Sequence, residues 1–304
     1  MTASTSDLPG ADPILAGAVR PDTTSTEERA AQRERLRLLL RSKVFVVGAL
    51  IVLVWVVCAI FGNAIAPNDP FATDPLKDLT SPNGTYPFGT DRVGRDVLSR
   101  VIVGARDILI VAPIATILAT VFGTALGLVT GYFRGAVDNM LSRFIDAFLA
   151  LPTVIIGLLA IVSLGPSRWT VILVIALVFA PIIARTVRAA VLQEREMEYV
   201  SAAQLRNERT AYILFAEILP NVMGPVMVEF TVRLGYAIFT VATLSFLGFG
   251  IQPPAPDWGL QVFEHYGLIS GGYWWPVLFP ALAIATLVIG VNMMADGIAK
   301  AFER

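Results

Sequence analysis

Long apolar runs alternate with short polar intervals from about residue 44 to the C-terminus. Six runs stand out, at about 44–66, 108–133, 144–164, 168–190, 222–251 and 273–295. A helix rises about 1.5 Å per residue, so roughly 20 apolar residues cross a hydrocarbon core of about 30 Å. The pattern therefore predicts an all-α membrane protein with six transmembrane helices. An even number of spans puts both termini on one side.

Residues 1–34 break the pattern. They are rich in Ser, Thr, Pro, Asp and Ala without periodicity, and read as a disordered tail before a membrane domain over 35–304. The first apolar run begins too late for a cleaved secretory signal. Arg29, Arg33, Arg35, Arg37, Arg41 and Lys43 precede it, which marks the tail as cytoplasmic. Most of the 23 Lys and Arg then fall on the tail's side. The segment 62–107 is an exception, with Lys77, Arg92, Arg95, Arg100 and Arg106, although Asp91, Asp96 and Asp107 stand beside three of them. The segment 252–272 has no Lys or Arg and suits the outside.

Between spans four and five lies the longest strongly polar interval of the C-terminal half, from Glu198 to Asn221. It reads as two short helices with a break at Arg206 to Thr210. Asn207 suits the left-handed conformation that ends a helix. Thr210 is placed to cap the second helix, with Tyr212, Phe215 and Leu219 on its apolar face. Pro220 is expected to stop that helix. Such a pair either docks another protein or lies on lipid headgroups.

The chain of 304 residues is 55% hydrophobic and 15% charged, with mean hydropathy +0.68. Soluble domains carry roughly 25% charged residues, so composition agrees with a polytopic membrane protein. The net charge of −1 disfavours nucleic acid as a partner. One cysteine, Cys58, and one histidine, His265, exclude an internal disulfide, a Cys/His zinc site and a Cys–His catalytic pair. Cys58 reads as a small apolar residue and His265 as a residue of an external lip. There is no G-x-x-x-x-G-K-[ST] phosphate loop, so the chain is not expected to hydrolyse ATP, to be an enzyme, or to bind a cofactor or metal.

Glu229 and Arg233 sit one turn apart inside span five, where lone charges cost about 2.5–3.5 kcal/mol each at the centre. Glu first at i, i+4 lowers that cost. The pair is either a polar lining at the cytoplasmic end of a pore, or a paired charge at headgroup level or a contact with another membrane chain. Asp138, Arg143 and Asp146 flank the start of span three and read as snorkelling interface residues. Tyr266, Tyr273, Trp274 and Trp275 read as an external aromatic belt.

Four stretches resemble one family. Ser201-Ala202-Ala203, three further residues, Asn207, and then Leu219-Pro220 resemble the "EAA" loop of ABC importer permeases. Pro87 to Arg100 (PFGTDRVGRDVLSR) resembles the segment after span one in C-type permeases of dipeptide/oligopeptide importers. Leu244 to Gly250, Gln252-Pro253-Pro254 and Asp257-Trp258-Gly259 resemble that family's turn after span five, and Asp296-Gly297 also fits. The resemblance covers roughly residues 35–304.

It implies a type I ABC importer permease fold with a cytoplasmic coupling helix between spans four and five. It further implies a homologous B-type permease beside this chain, two cytoplasmic ATPases that hydrolyse ATP, and an extracytoplasmic substrate-binding protein. The cell membrane is the expected location. Peptides are the commonest cargo, and relatives carry nickel, glutathione or opines. A stand-alone secondary transporter or channel is the alternative of another class. Carried onto this chain, the ATPase-coupling residues are Glu198, Ser201, Ala202, Ala203, Asn207, Leu219 and Pro220. Glu229 and Arg233 are candidates for pore or gate, and Gly89, Thr90, Asp91, Gly94, Arg95 and Asp96 for an external loop. Ser201, Asn207 and Glu217 depart from the motif, which has glutamate, glycine and an apolar residue there, and the family usually has uncharged residues at 229 and 233.

Overall fold

The computed structural model describes residues 39–302. The expected disordered tail at 1–34, with Arg29, Arg33, Arg35 and Arg37, lies outside them. Nine helices carry the described chain: α1 (Lys43–Ile65), α2 (Val97–Tyr132), α3 (Ala136–Leu149), α4 (Thr153–Leu164), α5 (Arg168–Glu194), α6 (Glu198–Leu205), α7 (Thr210–Phe246), α8 (Trp258–His265) and α9 (Trp275–Phe302). Five of them, α1, α2, α5, α7 and α9, are each long and apolar enough to cross a membrane.

The third predicted span differs. The apolar run 144–164 is split between α3 and α4, which meet at an 89° bend. Pro152 sits at the break with extended backbone and no N–H to continue a ladder. With 12 residues, α4 rises only about 18 Å, too little to span alone. The bent pair still carries the chain along the bundle once. The backbone carbonyl of Tyr132, at the end of α2, accepts from Arg195 Nη1 at the far end of α5. Arg168, at the start of α5, pairs at 2.7 Å with Asp107, near the start of α2. So there are six passes, five by single long helices and one by α3 and α4. Phe45 in α1 touches Gly297 in α9, which brings both ends of the described chain together.

Close approach of backbones holds the bundle. Gly123, Gly127 and Gly131 form one stripe of α2, and a Cβ there would land 2.6–2.7 Å from Ile183, Val187 and Val191 of α5. Lipid tails are as apolar as leucine, so helices in a bilayer associate through such packing rather than by leaving water. Val171, Ile175, Ile183 and Val187 are fully buried there. At the other side of the bundle Gly48 of α1 packs on Gly290 of α9.

The fifth span is the largest revision. Pro220 was expected to end a helix, yet the chain runs helical from Thr210 to Phe246. The reason is a π-helical stretch at Ile213–Ile218 just before it. The wider turn shifts the hydrogen-bond ladder there, so the donor Pro220 lacks falls where the ladder changes step. Asn221 Nδ2 donates to the Glu217 carbonyl at 2.8 Å and satisfies that turn. Thr210 is also not a side-chain cap; Arg209 occupies the cap position, and no side-chain cap bond forms.

Candidate functional site

Two regions at opposite ends of the bundle, and one charged pair between them, hold the sequence-predicted residues.

The first region is the tip formed by α6 and the start of α7. Asn207 has φ +53, the left-handed turn expected of it. Asn207 N donates to Gln204 O at 2.9 Å and Glu208 N to Ala203 O at 3.2 Å, closing the end of α6. Val200 and Ala203 are fully buried against Ile213, Leu214 and Ile218. The buried face of this segment is thus 213/214/218, while Tyr212 and Phe215 point outward at 48% and 60% exposure. Leu205, beside the turn, is 85% exposed. Glu198, Ser201, Ala202 and Asn207 are exposed, Ala203 is a packing residue, and Leu219 and Pro220 lie farther along α7 at its root. The departure Glu217 reaches Arg206 at 3.5 Å, a long pair on a half-exposed surface that contributes little. At the root of α6, Tyr199 Oη donates to Glu194 at 2.7 Å. Burial, and then that carboxylate, push the Tyr199 phenol up to about 12.

Higher in α7, Arg233 Nε donates to Glu229 Oε2 at 2.8 Å. Thr186 of α5 donates to the other Glu229 oxygen at 2.7 Å. The Arg233 guanidinium lies 5.3 Å from the centre of the Tyr236 ring. The pair is therefore an ion pair with a third, neutral partner, in the cleft between α5 and α7. Asp138 of α3, expected to snorkel, instead makes a two-pronged bond to Arg188 of α5 at 2.7 Å for each prong. Arg143 and Asp146 are exposed.

The second region is a clasp at the opposite end, where the segment between α1 and α2 folds onto α8 and the start of α9. Asp91 is buried and accepts from Val93 N, Arg95 N and Arg95 Nε. Arg95 reaches on to Glu264 of α8 at 3.1 Å. Asp96 caps α2 through the N–H groups of Leu98 and Ser99. Thr90 Oγ1 accepts from Thr80 N, while its carbonyl accepts from Trp275 Nε1 at 3.0 Å. Gly89 and Gly94 have φ +71 and +78, and a Cβ at Gly94 would strike the Asp74 backbone.

The predicted loop residues 89–91 and 94–96 thus form one buried network rather than a free loop. Sequence reasoning missed its anchors. Trp258 is 1% exposed, donates to Val101 O at 2.8 Å and meets the Trp55 ring edge-on. His265, expected on a lip, is buried beneath the clasp, and burial pushes its imidazole down from its ordinary value. The Asp-Trp-Gly after two prolines was the available signal.

Asp257 caps α8 through Leu260 N at 2.8 Å and is buried. Burial pushes its carboxyl up to about 6, against the Leu260 bond that favours the anion. The folded state therefore holds this proton more tightly than the unfolded chain. Stability contributed by Asp257 falls as pH rises from about 4 through about 6. An Asp257→Asn variant keeps the cap and is expected to flatten that part of the stability profile. Thermal unfolding in detergent between pH 4 and 7 measures it, and an unchanged slope in the variant refutes the assignment.

Comparison with known proteins bears on these regions. Residues 123–304 match the family described as binding-protein-dependent transport system inner membrane component, and residues 33–82 match the N-terminal transmembrane domain of oligopeptide transport permease C. The chain belongs to this family of transport permeases. It is 36% identical to the dipeptide transport system permease protein DppC of Alkalihalophilus pseudofirmus, over 89% of each chain. It is 35% identical to the di/tripeptide transport system permease protein DppC of Pseudomonas aeruginosa, over 84% of this chain and 86% of that one. The Bacillus subtilis dipeptide permease DppC is 32% identical over 93% of this chain and 88% of its own length. Among solved structures, an inward-facing MetNI methionine ABC transporter chain aligns with TM-score 0.55 at 19% identity, covering 67% of this chain and 97% of that one. That likeness concerns the fold, which is of the ABC importer permease type. The permease is a multi-pass membrane protein of an ATP-driven importer, working with ATPase and binding-protein partners.

Proposed function

We propose that the permease forms, with a homologous B-type permease, the translocation path of an importer for dipeptides and oligopeptides. The tip formed by α6 and the start of α7 is its contact with one of two cytoplasmic ATPases. The clasp faces the extracytoplasmic binding protein, and both termini are cytoplasmic. ATP is hydrolysed by the partners, while this chain binds no cofactor and catalyses no reaction. The peptide cargo is supported by the relatives' own descriptions.

The observation that carries the coupling role is mechanical. Leu205, Tyr212 and Phe215 are exposed apolar groups on a tip that is continuous, through Thr210–Phe246, with a membrane-spanning helix. A push on the tip is transmitted along α7, which is helical from Thr210 to Phe246. Closure of the ATPases would then move α7 as a rigid body between inward- and outward-open arrangements. The Arg41 and Lys43 charges at the start of α1, on the tip's side, favour that side as cytoplasmic.

The test is reconstitution of the full complex in proteoliposomes with its binding protein. Uptake of labelled dialanine is expected only with ATP and all partners present. ATP-independent uptake by this chain alone would establish a stand-alone transporter, and uptake of nickel without dialanine would overturn the peptide assignment.

A further inference from the structure

The face of α7 that carries the charged pair is divided lengthwise. At about 100° per residue, Glu229, Arg233, Tyr236 and Thr240, spaced i, i+4, i+7 and i+11, fall within an arc of about 60°. They extend over about 16 Å of helix. Tyr236 is 55% exposed, and Thr240 is partly exposed with its hydroxyl donating to Tyr236 O at 2.8 Å. Beside this arc the same face turns apolar. Phe239 and Phe246 join Val262 of α8 and Ile284 and Val288 of α9 around a mostly apolar groove of 670 Å³, whose lining includes one hydroxyl, that of Thr243. Lipid and a polar track make opposite demands. A charged residue facing lipid costs about 2.5–3.5 kcal/mol at mid-bilayer, and a polar arc borders such a surface only where water or a polar partner reaches it.

The charged pair is built to bind more than itself. Among the described residues, Arg233 gives only Nε to Glu229, which leaves both terminal guanidinium nitrogens for a carboxylate. Glu229 accepts one bond on each oxygen, from Thr186 and Arg233, and each oxygen has a lone pair left for an ammonium. One group of each sign, held together in the cleft between α5 and α7, complements a dipolar molecule better than a net anion or cation.

We infer that Glu229, Arg233, Tyr236 and Thr240 form a polar track lining the translocation path, and that the Glu229–Arg233 pair receives the two charged ends of a zwitterionic cargo. The second half rests on the peptide reading given above. The first half does not.

Cys58 is the single native cysteine, so a Cys58→Ser background that retains uptake gives clean labelling. In vesicles holding the whole complex, Tyr236→Cys and Thr240→Cys are expected to react with a membrane-impermeant methanethiosulfonate at least about tenfold faster than Phe246→Cys, because the thiolate, whose formation needs water, attacks the reagent sulfur and expels methanesulfinate. Equal rates at the three positions, with or without ATP, overturn the track. In the same vesicles Arg233→Gln is expected to slow dialanine uptake about tenfold or more, as loss of one charge-assisted bond implies, and Arg233→Lys to restore part of it. Wild-type uptake by Arg233→Gln overturns the role of the pair. A complex that takes up no dialanine while Thr240→Cys still labels refutes the peptide reading and the zwitterion role with it, and leaves the track standing.

Discussion

A Leu205→Asp, Phe215→Asp double variant is expected to lose ATP-driven uptake almost completely while remaining folded in the membrane. Both side chains are exposed, at 85% and 60%, so their replacement removes little packing within the chain. Burying a Leu or Phe at a contact contributes about 1.5–3 kcal/mol each. Losing both weakens docking of the ATPase by more than about a hundredfold. Two carboxylates buried at that contact add a desolvation cost. The measurement is ATP-driven uptake together with retention of the ATPases on the purified permeases. Uptake within twofold of wild type would exclude the tip as the coupling contact. A change at Ala203 tests something else. Ala203 is fully buried against the π-helical stretch, so an aspartate there would break the tip itself rather than its contact.

The second large effect is structural. Trp258→Ala is expected to destabilise the clasp by about 3–5 kcal/mol, the usual range for truncating a buried aromatic ring. The Trp258 indole lies against Gly104 of α2, where a Cβ would come within 2.9 Å of it, and its N–H bonds the Val101 carbonyl. It also meets Trp55 of α1 with ring centroids 4.7 Å apart. One side chain thus ties α8 to α1 and α2. Thermal unfolding of the purified permease should show a lowered midpoint, with Trp258→Phe intermediate because it keeps the ring and loses the donor. A midpoint unchanged in Trp258→Ala would mean that the clasp opens before the bundle melts and does not limit its stability.

The long apolar helices were legible because hydropathy over some twenty residues is a strong local signal. Asn207 was legible for a similar reason, since a left-handed turn is a local backbone preference. Other expectations failed where a neighbour decided the outcome. Pro220 was read as a stop, because the sequence does not display a π-helical stretch that absorbs a missing donor. The run 144–164 does pass the bundle once, but as two helices, because hydropathy does not register a bend at Pro152. Tyr212, Phe215 and Leu219 were legible as an apolar face from an even 3.6-residue period, but that period does not show the second apolar set, Ile213, Leu214 and Ile218, which is the buried one.

The sequence by itself determined that the chain spans a membrane with helices, where its polar interval lies, and which family it resembles. These are properties of composition and short motifs, set residue by residue. Only the tertiary structure decided what the polar side of α7 faces, that Asp91, Arg95 and Glu264 form one network, and that Ala203 is inward while Leu205 is outward. Those facts depend on which helix lies against which, and contacts between residues far apart in the chain leave no periodic trace along it.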